Sequence, residues 1–441
     1  MKKVYTKEAS RSRRSRCPRP RGRVAGFEAS GETATVRLVW PVGELLAALR
    51  EGLSSLAVEG GLLIAQALLA DEVEQRVGPR YARRPERTAS RWGWEEGFVV
   101  LAGRKVPLRR PRVRDTAGRE VVLERYGQLQ SPGRLGEEVA RRMLCGVSTR
   151  DYAKAVETFC EGYGIEKSSV SRHWKAASAK RLRELVERPL GDLDLAVIFV
   201  DGIRFQGYLF VVALGVDTGG RKHILGLWEG ATENATVCKM LLGDLVSRGL
   251  RTDRRYLWVL DGSKALRKGV EAVFGADVVV HRCHAHKERN VLDHLPKKHR
   301  ARVRVKLRAA WGMKGYAEAR AALRNVVAHL RTLSEGAAKS LEEGLEETLT
   351  LHRLGVSDPL RRSLRTTNTI ENCFSLTRRG CRNVKRWRNG AMAWRWAGTV
   401  LLEVEKRFHR IKGYRDLGSL LRALGRGPSD STALATGKEV A

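Results

Sequence analysis

The chain is 441 residues long and carries 83 Lys plus Arg against 49 Asp plus Glu, a formal net charge of +34. At roughly 100 to 200 residues per domain it should hold two to four domains. Its 42% apolar residues suffice for a core in each, which excludes a disordered basic tail. So large an uncancelled charge excludes an ordinary neutral metabolic enzyme as the default and points to a polyanion, most commonly nucleic acid.

No apolar run approaches the roughly 18 residues that a bilayer-spanning helix needs, so no membrane partner is expected. The lead containing Arg11, Arg13, Arg14 and Arg16 lacks an apolar signal segment, and a soluble, cytoplasmic protein is predicted. Seven cysteines are thinly spread with no C-x-x-C pair, which disfavours a disulfide framework or a four-cysteine zinc module.

Residues 1–35, basic and without periodicity, read as a flexible arm containing Pro18 and Pro20. In 36–80, Val42, Leu45, Leu46, Leu49 and Leu53, then Leu62, Leu63, Leu68, Leu69 and Val73, predict two helices broken at Gly60-Gly61. Residues 81–128 change to short apolar runs, Phe98 to Leu101, Val106 to Leu108 and Val121 to Leu123, which read as short strands. Their flanks place Arg104, Lys105, Arg109, Arg110, Arg112 and Arg114 beside Trp92 and Trp94, either a DNA-contacting ribbon or a solvated basic edge.

In 129–189, Ser148 and Asp151 mark a helix start, and Gly162 and Gly164 a turn. Ser168 opens a second helix with Val170, Trp174 and Ala177 inward and Ser169, Arg172, His173 and Lys175 largely outward. Helix, glycine turn and basic second helix are what major-groove reading by a helix-turn-helix requires; two packed helices with a solvated face are the alternative.

In 190–285, Leu195 to Val200, Tyr208 to Val216 and His223 to Trp228 predict an antiparallel meander. A helix from Asn234, a strand Tyr256 to Leu260, a helix from about Lys264 and a strand Val278 to Val280 follow. This is the order of an RNase H-like α/β core with a mixed sheet. Residues 286–365 turn helical, with Val303, Leu307 and Trp311, then Leu323, Val326, Val327 and Leu330, and read as an all-helical insertion. Residues 366–425 return to the core through a helix near Asn368 and another around Ala393 to Phe408. Residues 426–441 read as a disordered tail.

Asp201 and Asp261 each end an apolar strand and precede glycine. Aspartates at the carboxyl ends of neighbouring strands face one crevice, where a divalent cation would offset their repulsion, although a lone Asp-Gly is usually a turn. Mg²⁺ suits such hard oxygen donors, and two ions about 3.5 to 4 Å apart can stabilise the attacking and leaving oxygens of phosphoryl transfer. Glu371 is the third candidate. Asn368, Glu371, Ser375 and Arg378 share a helix face, though Asn368 and Glu371 could instead form an N-cap pair.

With these residues in place, the chain resembles the mutator-type transposases of bacterial insertion sequences from about residue 40 to 412. The stretches that carry the resemblance are Asp201-Gly202, Leu214-Gly215-Val216, Ile224-Leu225-Gly226, Asp244-Leu245 with Arg248-Gly249-Leu250, and Asp261-Gly262. Cys283 to His286 with Arg289-Asn290, and Thr366-Thr367-Asn368 with Ile370-Glu371, complete them. The resemblance implies a DDE triad of Asp201, Asp261 and Glu371 holding two Mg²⁺, replaceable by Mn²⁺, and a C-x-x-H signature in Cys283 and His286 near the active site. It also implies a nucleoid-associated homodimer or higher oligomer acting on double-stranded DNA at terminal inverted repeats and at a target. Ala265, Gly275 and His281 depart from the family's common glycine, proline and glutamine; none touches the triad.

Cys283, His286, Asn368 and Arg378 are the expected supporting residues, Arg378 for a phosphate. A zinc site from His281, Cys283, His284 and His286 is the rival reading, and packing so many ligands into one short stretch would strain tetrahedral geometry. Two other functions stay open: an RNase H-like nuclease without strand transfer, and a transposase-derived DNA binder that no longer cuts.

Overall fold

The computed structural model describes residues 20–30, 33–81, 87–101, 104–130, 132–150, 152, 167–205, 207–230 and 234–427. The chain divides into two units, 1–177 and 178–441.

In the first unit, β1 (Arg23–Ser30) pairs antiparallel with β2 (Thr33–Val39), a hairpin that begins inside the segment expected to be a flexible arm. Residues 1–19 of that arm lie outside the described residues. Helices Val42–Glu51 and Leu53–Val77 follow. The break between them falls at Gly52, whose φ of 116° favours glycine, and not at Gly60-Gly61. Those two glycines sit inside the long helix, where a Cβ on Gly61 would lie 3.2 Å from the Leu101 side chain, so Gly61 permits close packing, while Gly60 has room for a Cβ.

That helix presents Val58, Leu62, Ala65, Leu69 and Val73 at spacings of three and four, and buries them against Val99, Val106, Leu108 and Val113 of a ribbon. The ribbon is two long antiparallel strands, β3 (Ala89–Leu101) and β4 (Arg104–Asp115), in place of three short ones. Pro107 and Pro111 interrupt the sequence pattern but not β4, because each strand of a two-stranded ribbon keeps an unpaired edge where a missing N–H costs nothing. Val121 to Leu123 form no strand; the neighbouring Glu120 makes only an isolated bridge to Arg114. The second helix of the expected helix-turn-helix is present as Lys167–Val186. Of its first helix only Tyr152, buried, is described, and the glycine turn lies outside the described residues.

The second unit is built on a five-stranded mixed sheet in the order β7-β6-β5-β8-β9. The strands β5 (Leu195–Phe205), β6 (Tyr208–Asp217) and β7 (Lys222–Gly230) form the expected antiparallel meander. The strands β8 (Leu257–Leu260) and β9 (Val279–Arg282) add in parallel beside β5. Residues Leu195 to Val200 of β5 are all fully buried, which is why the strand reads as a continuous apolar run without alternation. Ile198 and Val200 pack with Leu241, Leu245 and Val270 of the helices Ala235–Ser247 and Lys264–Phe274. The helix Gly390–Glu405 packs against β6 and β7, and the helix Asn368–Gly380 against β5.

Between β9 and the Asn368–Gly380 helix runs a helical block whose own core joins Val291, Val303, Leu307, Leu323, Leu341 and Leu349. Arg426, assigned by sequence to the tail, is buried. Its guanidinium donates to the Leu195 carbonyl at 2.5 Å and pairs with Asp194, so the folded chain extends past Gly425. Residues 428–441 lie outside the described residues. Among the described residues no helix is long and apolar enough to cross a membrane.

Candidate active site

Strand β5 pairs with β8 in parallel, and the last pair, Phe199 with Val259, lies two residues before Asp201 on one strand and Asp261 on the other. The aspartates therefore leave neighbouring strands, about 4.8 Å apart, at one level. Asp201 does not end its strand, as the sequence suggested: β5 runs on to Phe205 against β6, and only its parallel partner stops. Asp201 is 9% exposed, and its Oδ1 accepts the Gly202 N–H at 2.7 Å.

Asp261 lies just past β8, where its Oδ1 accepts the Ser263 N–H at 2.8 Å. Ser263 in turn caps the Lys264–Phe274 helix, its Oγ accepting from the Leu266 N–H at 3.4 Å. The turn takes one oxygen of the Asp261 carboxylate, so a turn role does not exclude a chemical one.

The third carboxylate arrives from far along the chain. As β9 ends, the Cys283 N–H donates to the Leu260 carbonyl at 2.8 Å, beside Asp261. Cys283 then starts the helix His284–Asp293, and the His284 N–H donates to the Arg365 carbonyl at 2.9 Å. Two residues beyond Arg365, the Thr367 N–H donates to Cys283 Sγ at 3.3 Å. These bonds stitch the start of the Asn368–Gly380 helix onto the end of β9.

The N-cap of that helix is Thr367, not Asn368, and the Thr367 hydroxyl donates to Glu371 Oε1 at 2.7 Å. The alternative Asn368–Glu371 cap pairing is not formed; Glu371 pairs with Thr367 instead. A Ser or Thr immediately before the helix was the available signal, and Asn368 obscured it.

His286 occupies the centre of this arrangement. Its Nδ1 is 3.3 Å from Thr367 Oγ1, and its Nε2 is 3.9 Å from Glu371 Oε1. Its pKa is raised to about 9, first by hydrogen bonding to Cys283, against the effect of burial, and further by its electrostatic interaction with Cys283, Asp261 and Asp201. Burial pushes the Cys283 thiol up, but hydrogen bonds from His286 and Thr367 outweigh it and leave its pKa below the ordinary value. The C-x-x-H pair thus places a cation where it feels both aspartates and borders the glutamate.

The zinc reading fails on geometry. His281 turns its Nε2 toward the Arg365 carbonyl at 3.3 Å, and burial lowers its pKa to about 4. His284 stacks on Trp311 with centroids 4.5 Å apart and reaches the Thr348 carbonyl at 2.8 Å. Among the described residues no three His, Cys, Asp or Glu side chains stand close enough to cage a metal ion. The three carboxylates offer hard oxygens without a preformed cage. Carboxylate oxygens are hard donors of the kind Mg²⁺ takes.

The family model "Transposase, Mutator family" matches residues 54–411 of this sequence. The chain belongs to the Mutator family of transposases. It is 27% identical over 369 residues to the transposase for insertion sequence element ISRM5 of Rhizobium meliloti (strain 1021), covering 81% of this chain and 89% of that protein. It is 26% identical over 350 residues to the transposase for insertion sequence element IS406 of Burkholderia multivorans (strain ATCC 17616 / 249), covering 76% and 87%. With the transposase for insertion sequence element IS6120 of Mycolicibacterium smegmatis it shares 28% identity over 242 residues, 53% of this chain and 73% of the relative.

In this Mutator-family chain the remaining site residues separate into committed and presented groups. On the Lys167–Val186 helix, Val170 and Trp174 are buried as expected, Arg172 and Lys175 are exposed, and Ser169 and His173 are half-buried. The His173 pKa is lowered, mainly by burial and then by the charges of Lys105 and Arg172, so helix and ribbon share one positive neighbourhood.

Lys105 lies over the Phe98 ring at 4.2 Å, and Arg109 is exposed. The Arg104 side chain lies outside the described residues. Arg110 pairs with Glu95 at 2.7 Å and Glu120 at 3.0 Å, and Arg112 also pairs with Glu120. The β3–β4 register sets Glu95 opposite Arg110, a cross-strand partner that short-strand reasoning missed. Arg378 and Asn368 are exposed on the Asn368–Gly380 helix.

Proposed function

We propose that this chain is an active DNA transposase that binds the terminal inverted repeats of its own insertion sequence and carries out Mg²⁺-dependent strand cleavage and strand transfer. The observation that carries the proposal is the convergence on His286 of Asp201 and Asp261, at one level of adjacent parallel strands, and of Glu371, delivered by the Cys283–Thr367 stitch. The strand order, with a meander followed by two parallel strands, is consistent with an RNase H-like core carrying a helical insertion before the third carboxylate. The relatives' names as transposases for insertion sequence elements point the same way.

Asp201, Asp261 and Glu371 would hold the metal, which supplies activation of the attacking oxygen and charge stabilisation of the departing one. The chain's own groups act around that centre. His286, held protonated, offsets the mutual repulsion of the carboxylates and keeps them gathered when no ion is bound. Arg378 is assigned to a neighbouring DNA phosphate. Arg172, Lys175, Lys105 and Arg109, with the half-buried Ser169 and His173, form the DNA-facing surface. Joining two ends requires two sites, so the working form is a homodimer or larger.

The test uses linear DNA carrying the element's terminal repeats. Wild type should nick it with Mg²⁺ or Mn²⁺ and not with EDTA, while Asp201→Ala binds the same DNA without cutting. Normal cleavage by Asp201→Ala would end the triad assignment. Binding without cutting in the wild type would favour the DNA-binder reading, and cutting without joining the nuclease reading.

A further inference from the structure

Thr367 makes an unusual set of contacts for a helix-capping residue. It is fully buried, and its Oγ1 lies 2.7 Å from Glu371 Oε1, 3.3 Å from His286 Nδ1 and 3.4 Å from Cys283 Sγ. Its backbone N–H lies 3.3 Å from the same sulfur. A hydroxyl has one proton and two lone pairs. The shortest contact is to a carboxylate, where a charge-assisted bond is strongest, so the proton goes to Glu371. The oxygen's lone pairs then face His286 Nδ1, and the sulfur keeps the backbone N–H. The hydroxyl is thus committed to the carboxylate, and the β-branched Thr367 side chain is stiff enough to hold it there.

Both described polar contacts to the Glu371 side chain, from Thr367 and from His286, fall on Oε1. We propose that Thr367 is a positioning residue for Glu371: it pins Oε1 and fixes the carboxylate rotamer, so that Oε2 is the oxygen offered to a divalent cation. The proposal rests on the triad reading above and adds to it a residue that acts through Glu371.

A packing role and a positioning role predict opposite rankings of two substitutions. Thr367→Val keeps the shape and loses the hydroxyl; Thr367→Ser keeps the hydroxyl and loses the methyl. The experiment measures Mn²⁺ binding to the full-length protein by electron paramagnetic resonance, and the Mg²⁺ concentration for half-maximal nicking of terminal-repeat DNA. We expect Thr367→Val to weaken Mn²⁺ binding and raise the half-maximal Mg²⁺ concentration by roughly tenfold, the scale of one charge-assisted hydrogen bond. Thr367→Ser should stay within about twofold of wild type.

If Thr367→Val does not fold, Thr367→Ala removes the same hydroxyl without a clash and carries the same expectation. Wild-type Mn²⁺ affinity in a hydroxyl-less variant, with Glu371→Gln impaired, overturns the positioning role and leaves the triad standing. Wild-type binding and nicking in Glu371→Gln overturns the triad reading itself.

Discussion

Arg282 ends β9, and its side chain is 8% exposed. Its guanidinium donates to the Gly262 carbonyl at 2.8 Å and to the Glu343 carbonyl at 2.7 Å, tying the turn after Asp261 to the helical block. Gly262 has φ of 102°, and a Cβ there would sit 2.6 Å from Arg282 Nε, so turn and arginine are fitted to each other. Arg282→Met retains much of the apolar stem and removes both bonds.

A hydrogen bond from a charged donor contributes about 1.5 to 3 kcal/mol. The Glu343 carbonyl keeps a second donor, Lys287 Nζ at 2.6 Å, so its loss lies at the low end, while the Gly262 carbonyl loses its guanidinium donor. The ion pairs to Glu343 and Glu347 involve carboxylates 50% and 32% exposed, and solvent screening makes their share small. The expected destabilisation is about 3 kcal/mol, or a fall in Tm of roughly 6 to 12 °C for a unit of this size. Urea unfolding and calorimetry of the full chain measure it. Nicking should fall with it, because Asp261 loses the support of its turn, while DNA binding persists. A destabilisation under about 1 kcal/mol would refute the view that Arg282 clamps this turn.

Three further outcomes follow from other sites. Lys287 is almost fully buried, and burial, helped by the charge of Arg282, lowers its pKa to about 8. The unfolded chain then binds the extra proton between about pH 8 and 10.5, so the stability of wild type relative to Lys287→Met should rise by about 3 kcal/mol across that window; a flat difference in urea titrations would contradict it. Arg172→Ala should lower the salt dependence of DNA binding by about one counterion, whereas Arg110→Ala, already engaged by Glu95 and Glu120, should leave the slope unchanged. Gly52→Ala should destabilise the first unit by about 1 kcal/mol, because φ of 116° is strained for a residue with a Cβ, and thermal melts compare it with wild type.

What could be read in the sequence was what local periodicity encodes. The meander, the two parallel strands and the helices between them are visible because burial on both faces leaves uninterrupted apolar runs such as Leu195 to Val200. The β3–β4 ribbon departs from the sequence reading because prolines that end an interior strand are harmless on a two-stranded edge, and the helix break does so because a glycine demanded by close packing, as Gly61 is, looks the same as one demanded by a turn. Asp201 and Asp261 were legible for their place after matched apolar runs, although β5 continues through Asp201 to Phe205. Thr367 was not: its importance depends on Cys283, His286 and Glu371 meeting around it, and only the first turn of a helix was visible locally.

The late arrival of Glu371 has an energetic consequence. Cys283 and Thr367 are 84 residues apart, and closing so long a flexible loop costs about 4 kcal/mol plus a constant. The stitch itself is a few hydrogen bonds, each contributing about 1 kcal/mol net, too little to hold the ends together against that entropy. The helical block makes up the difference. Its core of Val303, Leu307, Leu323 and Leu341 folds the intervening chain, and Thr350 Oγ1, donating to the Val280 carbonyl at 2.7 Å, anchors it to β9 partway along. By the time the chain reaches Arg365, only a short segment remains to be ordered. A helical block that contributes none of these three carboxylates is thus the condition for Glu371 to be placed beside Cys283 and His286.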